Sequence, residues 1–86
     1  MALNRDLMAM VPVKAAANAS MGVIDRTQDY PPHLQIIAIA SAFKLLTERF
    51  DVSGQDAFAL VDNIMNHAEG RRVEFDAIRQ YLANEV

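Results

Sequence analysis

The chain has no cysteine and no tryptophan. Without cysteine there is no disulfide framework, no thiolate nucleophile and no Cys-based zinc site. Lys and Arg number 8 against 11 Asp and Glu, giving a net charge of −3. That leaves no basic excess to neutralise phosphates, which argues against nucleic acid as the main partner. Long apolar runs are missing as well. No segment approaches the ~18–20 apolar residues of a membrane span. The run "LMAMVPV" followed by "AAANAS" has the outline of an export leader. However, Pro12 interrupts it, Lys14 follows it at once, and Asp6 stands where a basic region belongs. A cytoplasmic protein with no membrane contact is the expectation.

What is present is apolar. Of the 86 residues, 52% are hydrophobic, too many for a disordered chain. A chain this short buries only about 60–65% of its unfolded surface, so one thin-cored domain is expected. A partner subunit would add to its stability.

The patterning predicts an all-α fold, a small bundle of three to four helices. Residues 1–24 form an Ala/Met-rich N-terminal arm with short helical pieces, and 25–86 form a helical core domain. In the arm, Asn4 is placed to cap a short helix, with Asp6 in its first turn. Pro12 suits the first turn of a second piece, which Gly22 is expected to end. "DRTQDYPP" is a polar connection, and a helix starts at Pro32 or His33.

The strongest helices are 32–50, 54–69 and 73–84. In 32–50, a wheel of ~100° per residue places Leu34, Ile36, Ala38, Ile39, Ala42, Phe43, Leu45, Leu46 and Phe50 on an arc of about 200°. A stripe so wide predicts the central helix of the bundle, or a helix that also carries a subunit interface. Ser53 is the N-cap of 54–69, with Asp56 three residues on. Phe58, Leu60, Val61, Ile64, Met65 and Ala68 share one face of that helix, and Gly70 fits a left-handed terminator. Phe75, Ile78 and Leu82, extended by Val86, make the narrow seam of the last helix. The alternation in "RRVEF" also allows a short strand, but no partner strand is evident.

The stretch "HAEGRRVEF" looks most like a site. Read as a calcium loop with Gly70 at its sixth place, it puts Met65 first, His67 third and Arg72 where an apolar residue belongs, so the ligands are missing. As a phosphate grip it offers Arg71 and Arg72 as a possible anion contact, but Glu69 and Glu74 flank them and no Gly-rich cradle is present. With only two histidines, His33 and His67, far apart in sequence, there is no zinc pattern. The carboxylates fall on solvent faces, where nothing would tune them for acid–base work. No enzyme activity, metal or cofactor is expected.

"FKLLTERFDVSGQDAFALVDNIM" has the outline of a helix-turn-helix, so a small DNA-binding or host-transcription regulator is the alternative function. The second helix nevertheless presents Gln55, Asp56, Asp62, Asn63, Asn66 and Glu69 and no cation. Four of the five methionines, Met1, Met8, Met10 and Met21, lie in the arm, and methionine suits adaptable contacts. The arm either docks on a partner or covers its own core.

An apolar arm, a Pro-led helix, "DVSGQDAFALVDNI" and a charged terminal helix resemble, in size and organisation over residues 30–80, the small all-helical accessory proteins of short-tailed bacteriophages. The resemblance implies contact with a phage structural or host protein, in host cytoplasm or virion. It carries no site residue with it. The residues themselves predict a non-enzymatic protein–protein interaction module, self-associating as a homo-oligomer or part of a larger assembly. Its interface candidates are Met8, Met10, Phe43, Leu46, Phe50 and Phe58.

Overall fold

A computed structural model describes residues 5–67 and 70–85, without the side chains of residues 5, 67, 71 and 85. The expected capping by Asn4 and the roles given to Met1, Ala68, Glu69 and Val86 lie outside the described residues. Five helices follow in order: α1 (Arg5–Ala9), α2 (Val13–Arg26), α3 (Pro32–Phe50), α4 (Gly54–Met65) and α5 (Val73–Glu85).

Each helix end has a local cause. Pro12 closes the α1–α2 joint and acts as N-cap of α2, with its carbonyl accepting from Ala16 N at 3.0 Å. α2 does not stop at Gly22, as its sequence suggests, but runs to Arg26. A mid-helix glycine costs about 1 kcal/mol. Met21 and Ile24 on either side of it pack into the core and offset that cost. Thr27 ends the helix by folding both its N–H and its Oγ1 onto the Ile24 carbonyl, at 3.0 and 2.8 Å.

Pro31 is the N-cap of α3 and Pro32 its first residue, where the missing N–H is harmless. The helix closes on Asp51 in the left-handed conformation (φ 56°, ψ 50°), with Val52 N–H reaching the Thr47 carbonyl at 2.9 Å. This is a Schellman closure on a residue that is not glycine. Ser53 then caps α4, its Oγ accepting from Asp56 N at 3.3 Å.

α4 ends at Met65, four residues before the predicted limit. Asn66 is extended, and Asn66–His67 pairs antiparallel with Gly70–Arg71 in a two-residue ladder. Of "RRVEF" only Arg71 is in this ladder, and Val73 onward is helix rather than the strand its alternation also allowed. Gly70 does not terminate the helix. It sits in the ladder at φ 142°, a region that L side chains rarely adopt. Arg72 N–H closes the joint onto the Met65 carbonyl at 2.9 Å, and α5 starts at Val73 as predicted.

The core lies between α2, α4 and α5. Phe75 and Ile78 of α5 are buried with Ala17 of α2, and Val13, Ala16, Met21, Ile24, Ile64, Met65 and Leu82 pack round them. The sequence boundary between arm and core domain falls inside α2. For residues 13–24, covering the chain's own core is the arrangement observed.

α3 is not the central helix: none of its residues is buried. It lies to one side, so the molecule is flat, 37 × 32 × 18 Å. Its radius of gyration, 13.7 Å, exceeds the ~12 Å expected for a chain of this length.

Phe75→Ala should cost about 3–5 kcal/mol and abolish a cooperative urea transition. Asp51→Gly should instead relieve the left-handed strain and raise the melting temperature by a few degrees, a gain of up to about 1 kcal/mol. Thermal unfolding followed by circular dichroism measures both changes.

Candidate interaction surface

α3 is held at its two ends. Near the start, Gln35 Nε2 donates to Thr27 Oγ1 at 3.2 Å, and Thr27 is itself buried. Near the end, the Phe43 ring meets Phe58 of α4 with centroids 4.9 Å apart and planes tilted by 40°. Beside that pair is a small apolar hollow of about 260 Å³, lined by Met8 of α1 with Phe43, Leu46, Phe50 and Ala57. The Arg49 guanidinium lies 5.4 Å from the Phe50 ring centroid, within reach of a cation–π attraction.

These contacts use one edge of the apolar arc. Phe43, Thr47 and Phe50 are half-buried, whereas Leu34, Ile36, Ile37, Ile39, Leu45 and Leu46 remain between 37% and 68% exposed. On the helical wheel Leu34, Leu45, Ala38, Ala42, Leu46 and Ile39 fall within about 140°, with Arg49 between Ala38 and Ala42 and Gln35 between Ala42 and Leu46. This open face is the largest departure from hydrophobic-inside packing in the described chain. Solitary exposed apolar residues are ordinary, but a contiguous patch marks a contact site.

The six interface candidates separate into two groups. Met8, Phe43 and Phe50 join the small hollow and are half-buried. Leu46 lines the same hollow yet stays 57% exposed, Phe58 stacks on Phe43 with its outer side open, and Met10 projects from the α1–α2 turn. Leu34, Ile39 and Leu45 belong with Leu46 on the open face. Their spacing already put them on the arc, but the periodicity did not say which part of it α4 would cover. Ile37 was missed, because on the wheel it falls outside the arc.

Arg72 is not a solvated arginine. It is half-buried, its Nε donates to the Asn66 carbonyl at 3.4 Å, and its own carbonyl receives Phe75 N and Asp76 N, both at 3.1 Å. It braces the α4–α5 joint, its side chain donating to the Asn66 carbonyl and its backbone N–H to the Met65 carbonyl. Arg71 is described by its backbone alone, in the ladder opposite Asn66.

A wider groove of about 650 Å³ runs between α2 and α5, lined by Val13, Ala17, Met21, Ile78 and Tyr81, with Lys14 and Glu74 among its polar residues. Among the described residues no three His, Asp or Glu side chains gather closely enough to hold a metal ion. Nor is any helix of the described residues long and apolar enough to cross a membrane. Comparison with protein-family models, with curated proteins and with solved structures returns no match for this chain.

Two substitutions measure how firmly α3 is attached. Thr27→Val removes the hydroxyl that Gln35 uses and should cost about 1 kcal/mol, with faster amide exchange over residues 34–38. Phe58→Ala should cost about 0.5–1.5 kcal/mol from the aromatic pair, well below the loss at Phe75. Equal losses at Phe58 and Phe75 in chemical denaturation would mean that α3 and the core are one packing unit.

Proposed function

We propose that this protein is a non-enzymatic interaction module whose working surface is the open apolar face of α3. The observation that carries the reading is that the longest described helix, rich in Leu and Ile, buries no residue. Folding leaves large Leu and Ile side chains in water although each, fully buried, contributes about 1.5–3 kcal/mol. A surface that retains this penalty is suited to recover it on binding.

The polar features favour protein over nucleic acid as the partner. Gln55, Asp56, Asp62 and Asn63 are the exposed polar side chains of α4, and that helix has no Lys or Arg to meet phosphates. The organisational resemblance to phage accessory proteins points the same way, towards work by contact inside a larger assembly.

The test uses a surface change that spares the fold. Leu45 is 65% exposed, so Leu45→Lys should alter stability by less than about 0.5 kcal/mol. It should nevertheless remove the complex that the protein forms in its native setting, seen by cross-linking and size separation of the intact chain. Arg79→Ala, on α5, serves as the control and should leave that complex in place. If the complex survives Leu45→Lys and also Leu46→Lys, α3 is not the working surface.

A further inference from the structure

We infer that the occupant of the α3 face is α3 of a second copy, packed antiparallel about a two-fold axis near Ala40. The inference rests on the reading of α3 as the working surface and names its partner. Its basis is the size pattern of one ridge. Leu34, Ala38, Ala42 and Leu46 are spaced by four residues, so they form one of the i±4 rows by which helices pack into each other's grooves.

The row reads large, small, small, large, the same in both directions. In an antiparallel pair, Leu34 of one copy meets Leu46 of the other, and Ala38 meets Ala42. The two alanines let the backbones approach closely at the centre, and the leucines close the ends. Ile39 and Leu45 lie along the two sides of the ridge. A two-fold contact must use the same patch on both chains, and a palindromic ridge satisfies that requirement.

Area and charge agree with this arrangement. Leu34, Ile39, Leu45 and Leu46 are 37–65% exposed and with the alanines offer roughly 400–500 Å² on each copy, so the pair buries at most ~1,000 Å², the lower bound of a specific interface. The dimer is therefore expected to be reversible, with a micromolar Kd. In the same register Arg49 reaches the stretch 29–31 of the other copy, where Asp29 is exposed. Lys44 and Glu48 neutralise each other at 3.7 Å on their own helix, and Arg26 and Asp51 lie beyond the ridge.

Sedimentation equilibrium from low to several hundred micromolar tests the pairing. The weight-average mass should rise from 9.5 kDa towards twice that value. Ala42→Glu, at an exposed position of α3, should hold the chain at monomer mass with unchanged helicity. Orientation is read by disulfide trapping, because the chain has no cysteine of its own. Chains with Leu34→Cys mixed with chains carrying Leu46→Cys should form the mixed disulfide in preference to either self-pair.

A chain at monomer mass throughout overturns the dimer, while the separate Leu45→Lys experiment still decides whether α3 meets a different protein. Self-association that persists in Ala42→Glu, or Leu34→Cys trapping chiefly with itself, also overturns the inference.

Discussion

The fold depends on the closure of α5 onto α2 over Ala17. The small side chain at that position leaves room for the Phe75 ring and Ile78 to pack against α2, and Met21, Ile24 and Leu82 complete the packing. In a chain of this size each buried side chain is a large part of the core. Among the described residues the buried hydrophobics are Ala17, Ala57, Phe75 and Ile78, two of them alanines. The close approach of the helices thus matters more than the volume of any one residue.

The joint between α4 and α5 makes that closure possible. A continuous helix to residue 69 would carry α5 away from α2. The chain instead leaves the helix at Asn66, folds back through a two-residue ladder and is fastened by Arg72 to the carbonyls of Met65 and Asn66. Of the charges in this stretch, Arg72 serves the turn. In the stretch that looked most like a binding loop, Arg72, offered there as a possible anion contact, is turned onto the backbone of the joint.

α3 stands outside this arrangement. A hydrogen bond from Gln35 to Thr27, one aromatic pair and the half-buried Phe43 and Phe50 beside Ala57 hold it to the rest, and the first two are modest terms beside the burial of a Phe in the core. Marginal attachment together with a wide apolar face is the physical profile of an element that completes its packing with something else. The functional reading rests on that mismatch between composition and burial rather than on any cluster of reactive groups.

The sequence by itself determined the local structure. Proline and serine positions set the starts of α2, α3 and α4, the three- and four-residue spacing of Phe75, Ile78 and Leu82 identified the buried seam of α5, and the lack of basic excess and cysteine narrowed the chemistry. These features act within a few residues, through dihedral limits, capping and helical period, so they are legible without knowing the neighbours.

Only the tertiary structure decided three further matters: that α2 belongs to the core and continues past Gly22, that α4 stops at Met65, and that α3 is peripheral with its face open. Each depends on which element lies alongside. A 200° apolar arc states how much surface needs covering. Whether α4, α1 or another chain covers it is a question of packing between residues distant in sequence, and periodicity along one helix carries no information about that.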